Sequence, residues 1–532
     1  MKVRAGEPRV WVFAVAIAGV VAACGSSGGS PSGSNGGGSA GTLSAEAGTA
    51  GEGGSAAARG GASGAGGSGT SRGGSSGGGT AGGGGVSDGG ASGMAGMSGG
   101  ASGSGGGSAG VGGCPMGNWG CPVVIAKYLV APTDPELALD AKGNAFAAWV
   151  QFDHDVLSLW ASRFDAAGKV WSAPALLETD NVQPASEPKL SAIGDGGVIA
   201  VWAQGGHVWS SRYVAGSGSW SSAVAIENQT LGISMHPRVA ADGAGNVFAL
   251  WERQDSAVTG GLWATRYDPG TATWTSPVNI KDPTRESADE GDVAVDGKGN
   301  AFVVFEQFTD DGRRHLLANR YDATGHAWGS AQLIEPATIT GKAVSMRISV
   351  SANGDAFVAW WQQDTQDHIW VNRYDGAAKA WGQAERAESS TAQYFDVPHV
   401  ATDAVGNAFV VWPADDHVFS NRYDVSAKHW VGAARLDQGA GFAAKWTDVA
   451  ADASGNAFAI WAQSADDLLR YPNVTANRFD GGNATWASFE LVETPTGETG
   501  APQVVMDGSG HAFASWWQFD GVNYTVWANR SK

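Results

Sequence analysis

The chain has 532 residues, 81 glycines, three cysteines and a formal net charge of −19. The length exceeds that of one small domain, and an acidic chain lacks the basic face that nucleic-acid binding needs. The composition changes along the chain: 40 glycines lie between Gly25 and Gly113, and 23 of the 24 tryptophans follow that stretch. We therefore predict three parts, at residues 1–23, 24–113 and 114–532, and we expect no nucleic-acid partner.

The first part, residues 1–23, is typical of a signal peptide. Basic residues precede an apolar run from Val10 to Val21, which is too short to be a stable membrane anchor. The run ends in Val21-Ala22-Ala23-Cys24, which resembles the bacterial lipoprotein signal. The resemblance implies that Cys24 is lipidated, and Gly25 after it favours the outer membrane or cell surface. The alternative is an ordinary signal peptide followed by a coincidental cysteine.

The second part, residues 25–113, is a low-complexity spacer. It consists mainly of Gly, Ser, Ala and Thr and has only five charged side chains. A segment with so little apolar surface cannot offset the entropy cost of ordering its backbone, so we predict a disordered tether. Such a tether would hold the folded part away from the membrane, and the lipid would be the only attachment to it.

The third part, residues 114–532, contains one unit repeated eight times. Gly-Asn-Ala-Phe followed by apolar residues and Trp occurs from Gly143, and related copies follow at steps of 49 to 55 residues. Each copy also has an arginine that an aromatic residue and an aspartate usually follow, as in Arg266-Tyr267-Asp268. A tryptophan stands eight residues after the arginine, as Trp274 does here. A period near 50 with four short strands and regular turn signals predicts an all-β, eight-bladed β-propeller.

The two ends of the repeat region predict how the ring closes. The eighth copy stops at Lys532, before its fourth strand, whereas Trp119–Ile125 matches Trp274–Ile280 of an earlier copy. We therefore expect this N-terminal segment to supply the fourth strand of the last blade. Cys114 and Cys121 flank it and are predicted to form a disulfide in an exported chain, the alternative being two free thiols.

The turn after the third strand suggests a family resemblance. Asp268-Pro269-Gly270-Thr271-Ala272-Thr273-Trp274 resembles the Asp-box of sialidase-type propellers, with one extra residue before the Thr-Trp pair, and Asp480–Trp486 does the same. The Asp-box is a structural motif, and the catalytic arginine triad and tyrosine–glutamate pair of sialidases are not identifiable by motif in this chain. The resemblance therefore implies the fold and not the activity.

Eight polar residues are predicted to surround one end of the central channel, which we call the channel mouth. Each lies seven residues before its blade's glycine and directly before an apolar residue. We call this set the mouth ring: Glu136, Lys189, Arg238, Asp292, Arg347, His399, Asp448 and Gln503. Two interpretations stay open, a solvated rim of weak ion pairs and a polar ligand site on the variable rim.

Two further sets are interpreted as repeat features. A glutamine two residues after the second-strand tryptophan is expected to hydrogen-bond a neighbouring loop, with a ligand ring as the alternative. Four histidines stand five residues before the arginine, too far apart for one metal ion. We therefore predict no metal site and no cofactor. The two sets are Gln151, Gln204, Gln307, Gln362, Gln463 and Gln518, and His207, His315, His368 and His417.

Two hypotheses about function follow. The first is a monomeric surface module that binds a glycan or a protein through variable loops, whose aromatic residues suit sugar faces or a protein partner. The second is a glycoside hydrolase or lyase that uses Asp292, Asp448 or Glu136, which requires paired carboxylates at about 5 to 9.5 Å. The aromatic residues of these loops are Phe152, Tyr394, Phe395, Phe442, Trp446, Phe519 and Tyr524.

Overall fold

The computed structural model describes most of the repeat region. The described residues are 117–128, 135–153, 155–178, 182–227, 232–255, 260–285, 287–309, 312–336, 338, 341–363, 366–388, 395–437, 442–464, 472–493 and 497–532. They belong to one compact unit, Gly100–Lys532. The predicted signal peptide, Cys24, the spacer and Cys114 lie outside the described residues, so the predictions about them stay predictions. Within these ranges no helix is long and apolar enough to cross a membrane.

The described residues form eight antiparallel sheets, which confirms the predicted eight-bladed propeller. Each sheet starts with a strand beside the channel and proceeds outward. The innermost strands of blades 1 to 8 are Glu136–Leu139, Ala185–Ile193, Ile233–Ala241, Ala288–Val295, Lys342–Val350, His399–Thr402, Phe442–Ala451 and Glu498–Met506. The second strands are Ala145–Asp153, Gly197–Gln204, Val247–Gln254, Ala301–Phe308, Ala356–Gln363, Ala408–Ala414, Ala457–Ser464 and Ala512–Phe519.

The outer half of each blade is less regular than the sequence suggested. The third strands are Val156–Asp165, His207–Val214, Gly260–Asp268, Arg314–Asp322, His368–Asp375, His417–Asp424, Asn473–Asp480 and Tyr524–Arg530. In blades 1 to 7 the expected fourth strand is divided into two short strands, both paired with the third. They are Val170–Trp171 and Ala175–Leu176, Ser219–Trp220 and Val224–Ala225, Thr273–Trp274 and Val278–Asn279, Ala327–Trp328 and Gln332–Leu333, Ala380–Trp381 and Glu385–Arg386, His429–Trp430 and Ala434–Arg435, and Thr485–Trp486 and Glu490–Leu491.

The N-terminal strand Val123–Tyr128 completes blade 8 in the predicted register. Val123 pairs with Ala528, two residues before Arg530, as Val278 pairs with Ala264, two residues before Arg266. Trp119 bridges Ser531, and its side chain is fully buried against Phe458, with ring centroids 5.5 Å apart. The innermost strands of blades 8 and 1 are also in contact, so the ring is closed.

The core consists of apolar layers between neighbouring blades. The repeated tryptophan of the second strand is at most 1% exposed in seven blades, and Phe305 takes its place in blade 4. Each layer combines residues of two blades, as when Leu316 of blade 4 packs in one cluster with Ile348 and Trp360 of blade 5. These large side chains are buried against the next blade, so a single blade would leave them exposed and would not be stable alone. The ring therefore has to close.

One end of the ring, here called the scaffold rim, carries the closely repeated turns. In blade 6, Asp403 Oδ1 accepts hydrogen bonds from the backbone N–H groups of Val405, Gly406 and Asn407 at 2.8 to 3.0 Å. Gly406 has a φ of 104°, which a side chain would disfavour. The Asn407 Oδ1 atom then accepts a bond from the N–H of Val425 at 3.0 Å, which joins the first turn to the turn after the third strand.

The repeated arginine connects neighbouring blades at the same rim. Arg373 of blade 5 pairs with Asp375 at 3.1 Å and lies over the ring of Tyr423 in blade 6, at 5.5 Å from its centroid. Tyr423 in turn meets Trp430 edge to face, at 5.5 Å. The repeated arginine, aromatic residue, aspartate and tryptophan therefore have structural roles, as their regular spacing indicated.

Candidate functional site at the channel mouth

The eight mouth-ring residues occupy equivalent positions in the eight blades. Each pairs with the fourth residue of the Ala-Phe-type segment on the second strand, as Glu136 pairs with Ala148 and Arg238 with Leu250. The other partners follow the same register: Lys189 with Val201, Asp292 with Val304, Arg347 with Ala359, His399 with Val411, Asp448 with Ile460 and Gln503 with Ser515. The ring is therefore one level of the propeller at the end opposite the scaffold rim.

The channel beneath the ring contains a cavity of about 420 Å³. It is lined by residues that stand one to three places after ring residues, among them Leu137, Leu190, Ile348, Val400, Val449 and Val504. None of these lining side chains is charged, so recognition of a charged ligand has to come from the ring and from the loops around it.

Several ring residues hold neighbouring blades together. Asp292 Oδ2 accepts a hydrogen bond from the N–H of Ile348 at 3.0 Å, and Asp448 Oδ2 accepts one from Val504 at 2.9 Å. Gln503 Oε1 accepts the equivalent bond from Leu137 at 3.2 Å. In each case the donor is the backbone group that follows the ring residue of the next blade. These three side chains satisfy donors on the innermost strands, which face the channel and have no strand partner there.

Two further ring contacts are charged. Lys189 forms an ion pair with Glu136, and His399 Nδ1 lies 3.0 Å from Asp448 Oδ1. The three carboxylates that the enzyme hypothesis named, Asp292, Asp448 and Glu136, therefore all bind groups of adjacent blades. These contacts give each carboxylate a structural role, and a catalytic role for any of them stays a hypothesis.

Arg238 and Arg347 differ from the other ring residues. In each, the only hydrogen bond found among the described residues runs from the guanidinium to the preceding carbonyl oxygen, that of Pro237 at 3.0 Å and that of Met346 at 2.8 Å. Neither forms an ion pair with a described residue, although both are half-buried. Burial lowers the pKa of Arg347, Asp292 opposes this shift, and the nearby positive charge of Arg238 adds to it. Two guanidinium groups with unused donors thus lie on either side of blade 4.

A β-bulge with a left-handed residue precedes the ring position in six blades. The residue two places before the ring residue has a positive φ of 31° to 55° in each, although none of the six is glycine. They are Glu187, His236, Glu290, Ser345, Trp446 and Ala501. Such a backbone costs free energy, and bulges of this kind re-aim side chains at the rims of functional sites. The sequence does not reveal this second row, because its residue types share no pattern.

The bulges of blades 2 to 4 bring titratable groups together. His236 lies 3.1 Å from Glu252 and 3.4 Å from Glu187, measured from its two ring nitrogens to carboxylate oxygens. The hydrogen bond to Glu252 raises the pKa of His236, and burial opposes the rise. The backbone N–H groups of the two left-handed residues His236 and Glu290 are bound by Glu187 and Glu252, at 2.7 and 2.6 Å. An imidazole with a carboxylate on each side therefore lies two residues from Arg238.

A buried acid extends this group outward. Glu306 is 1% exposed, and its Oε2 atom lies 2.7 Å from Arg314, which also pairs with Asp289 at 3.1 Å. Burial raises the pKa of Glu306 to about 8, and Glu290 adds to the rise, whereas Arg314 opposes it. The described residues contain no group of three or more His, Cys, Asp or Glu side chains that could hold a metal ion.

Blades 7 and 8 carry an aromatic row at the mouth. Trp446 is 44% exposed and meets Trp517, with centroids 6.3 Å apart. Trp517 meets Tyr524 at 5.8 Å, and Tyr524 meets Phe519 at 4.5 Å. Three of these four residues were candidates from the sequence, whereas Trp517 was missed because it follows the core tryptophan directly and looks like part of the repeat.

The other predicted aromatic residues have different surroundings. Phe152 is 40% exposed at the end of the second strand of blade 1. Phe395 is 7% exposed and packs in the core with Ile369 and Trp412, so it is not available to a ligand as the sequence hypothesis expected. Its bridge to Ala414 draws the loop into the sheet. Tyr394 and the side chain of Phe442 lie outside the described part.

The repeated glutamines and histidines make local contacts. Gln204 accepts a hydrogen bond from the Trp202 indole at 3.0 Å. It also donates one, at 2.9 Å, to the carbonyl of Gln183, which lies in the loop before the innermost strand of the same blade. Gln151, Gln362, Gln463 and Gln518 accept the same indole bond, and Gln307 binds Asp282 in a loop. The histidines bind carboxylates 20 residues later, His207 to Glu227, His315 to Glu335, His368 to Glu388 and His417 to Asp437.

Those carboxylates belong to a set of buried acids that was not predicted from the sequence. An acid stands 15 residues after the repeated arginine in six blades, and each has lost most of its solvent contact. Glu493 of blade 7, for example, is 2% exposed, and burial raises its pKa to about 8. The constant offset from the arginine was the available signal. The six are Glu178, Glu227, Glu335, Glu388, Asp437 and Glu493.

The last site residue is Cys121, which is disulfide-bonded. The other half of this bond lies outside the described residues, so the pairing with Cys114 stays a prediction.

No protein-family model and no curated protein matches the chain. Among solved structures it is similar to a protein of unknown function from Dyadobacter fermentans, with 13% identity, 77% of this chain and 97% of that chain covered, and a TM-score of 0.39. An ulvan lyase of polysaccharide lyase family PL25 has 11% identity, coverages of 76% and 94%, and a TM-score of 0.42. The Hadza microbial sialidase Hz136 has 12% identity, coverages of 70% and 73%, and a TM-score of 0.38. The similarity to sialidase and lyase propellers is therefore distant.

Proposed function

We propose that the propeller is a binding module for a glycan that carries an acidic sugar, and that the acid binds at the channel mouth between Arg238 and Arg347. The observation that carries this proposal is that neither guanidinium has an ion-pair partner among the described residues. A guanidinium presents planar, forked donors that match a carboxylate or vicinal hydroxyls. Both groups are half-buried, so water screens them less than it would on an open surface.

The other charges of the ring favour a ligand whose acidic groups are isolated from one another. The folded part of the chain carries most of the negative charge, and Glu136, Asp292 and Asp448 lie in the same ring. A ligand with many closely spaced charges would be repelled, whereas one with isolated acidic sugars between neutral ones can place a carboxylate at the arginines. At the scaffold rim, by contrast, most of the repeated arginines are paired with carboxylates, as Arg373 is with Asp355 and Asp375.

The test is an array of acidic and neutral glycans probed with residues 114–532, followed by titration calorimetry of the bound glycans. We expect acidic glycans to bind, and Arg238→Ala and Arg347→Ala to weaken binding by about 1.5–3 kcal/mol each, the range for hydrogen bonds to charged groups. Arg320→Ala is the matched control, because this arginine pairs with Asp322 at 3.2 Å and stacks on Phe302, so it should lose stability and keep affinity. Unchanged affinity of both mouth variants, or capture of a protein but no glycan in a surface pull-down, would overturn the proposal.

A glycoside hydrolase or lyase is the second candidate, and His236 favours it. The hydrogen bond to Glu252 raises the pKa of this imidazole, although burial and Arg238 oppose the rise, and a protonated imidazole suits transfer of a proton to a leaving oxygen. The check is to incubate bound glycans with the parent and with His236→Ala and to follow new reducing ends and unsaturated uronates. Product formation by the parent that His236→Ala abolishes would establish catalysis, and its absence with intact binding would leave the module as a binder.

We also propose that the protein is exported, lipidated at Cys24 and displayed as a monomer from the membrane. The support is the sequence around Cys24 and the spacer that follows it. Cys24→Ala should move the protein from the detergent phase to the aqueous phase after phase partition, while the propeller keeps its melting temperature. An unprocessed precursor that stays in the detergent phase would contradict lipidation as the sole attachment.

A further inference from the structure

The aromatic row of blades 7 and 8 is built beside the mouth ring. Trp446 lies on the innermost strand two residues before Asp448, whose carboxylate binds Val504 of blade 8. Trp517 lies on the second strand of blade 8 and Tyr524 on the third. Adjacent strands are about 4.8 Å apart, so the row begins next to the channel and extends radially outward over blade 8.

The backbone is adapted to present this row. Trp446 has a φ of 53°, a left-handed conformation that a bulky residue adopts at a cost. Opposite Trp517, Gly500 has no side chain, and a Cβ atom there would lie 2.2 Å from the Trp517 ring. The tryptophan therefore lies directly over the strand of Gly500. Trp446 leaves 44% of its surface in solvent.

We propose that this row stacks a neutral sugar of the same glycan whose acidic sugar binds Arg238 and Arg347, so that the ligand is an oligosaccharide lying across the mouth. This inference rests on the proposed function. Aromatic rings that expose one face bind the apolar face of a pyranose. The edge-to-face contact with Trp517, which Tyr524 supports in turn, keeps the Trp446 ring in place at low entropy cost. A sugar is favoured over a protein because the row is narrow and continuous with a ring of polar groups.

The experiment is titration calorimetry with glucuronic acid and with hyaluronan oligosaccharides, in which glucuronic acid alternates with a neutral sugar. We expect the oligosaccharides to bind the parent more tightly than the monosaccharide does. Trp446→Ala should weaken the binding of the oligosaccharides about tenfold, the effect of one stacking contact. It should leave the affinity for the monosaccharide unchanged. Trp446→Phe should recover most of the loss. Trp274→Ala is the matched control, because this partly exposed tryptophan meets Tyr267 at 5.4 Å at the scaffold rim, at the end of the propeller away from the mouth.

The outcomes separate the two proposals. Trp446→Ala could still bind the oligosaccharides more tightly than the monosaccharide by the same factor as the parent, while Arg238→Ala and Arg347→Ala bind neither ligand. In that case the aromatic subsite is wrong and the arginine site stands. If Trp274→Ala has the same effect as Trp446→Ala, the row is not a specific subsite. If neither probe binds the parent, both proposals fail for this class of glycan. Thermal melting of every variant distinguishes lost contacts from lost folding.

Discussion

The side chain of Asp292 in blade 4 accepts a hydrogen bond from the backbone N–H of Ile348 in blade 5, with Oδ2 and N 3.0 Å apart. Its other oxygen accepts the N–H of Val293 at 3.0 Å. Asp448 and Val504 repeat the relationship between blades 7 and 8. The innermost strands of neighbouring blades are not joined by a ladder, so these side chains are direct hydrogen-bonded links between them at the mouth.

We predict that Asp292→Ala lowers the free energy of unfolding by about 1–3 kcal/mol, because it leaves a partly buried N–H without an acceptor. Asp292→Asn should cost less, since its amide oxygen can still accept the bond from Ile348. Urea denaturation of both variants gives the comparison. Equal stability of Asp292→Ala and the parent would contradict the structural role.

The buried carboxyl of Glu493 should make stability depend on pH. Burial raises its pKa from 4.5 to about 8, whereas the bond from the N–H of Val474 lowers it. The folded state therefore holds a proton that the unfolded state releases, and this stabilisation is complete below about pH 4.5 and is lost as the pH rises through about 8. Glu493→Gln should reduce the fall in stability across that window by about 1.4 kcal/mol per pH unit. Denaturation at several pH values, with the exposed Glu385→Gln as the control, tests this, and parallel curves for parent and Glu493→Gln would contradict it.

The N-terminal strand should be essential to the ring. Deletion of residues 114–127 removes most of the fourth strand of blade 8 and the buried Trp119, whereas deletion of residues 25–113 leaves the described propeller intact. We expect a large fall in melting temperature for the first deletion and little change for the second. Trp119→Ala alone should cost about 3–5 kcal/mol, the usual range for a buried tryptophan. Equal melting temperatures for the two deletions would disprove closure by this strand.

The turn coupling at the scaffold rim gives a further prediction. Asn407→Ala removes the acceptor of the Val425 N–H and the donor to Asp403, so we expect a loss of about 1–3 kcal/mol. Val405→Ala is the control within the same turn, because this side chain is 59% exposed. Chemical denaturation compares the two, and an Asn407→Ala variant as stable as Val405→Ala would show that the two turns fold independently.

The repeat alone determined the fold, the blade number and the closing register. A constant spacing of glycine, arginine and tryptophan records contacts that recur once per blade, as the match of Trp119–Ile125 to Trp274–Ile280 illustrates. Each such contact is local or joins adjacent blades in the same way, so periodicity is enough to identify it. The position of the mouth ring along the channel could be predicted for the same reason, because Arg238 and Arg347 stand at a fixed sequence distance from the glycines of their blades.

Only the tertiary structure decided how the mouth residues are used. Residues of one ring have identical spacing, yet Asp292 binds a neighbouring strand while Arg238 and Arg347 keep unused donors, which depends on the partners that the next blade presents. The row of left-handed residues, including His236 and Trp446, arises from bulges in strand pairing, and pairing across a sheet is a non-local property that residue types do not record. Function at the mouth depends on these departures from the repeat, and repetition carries no information about them.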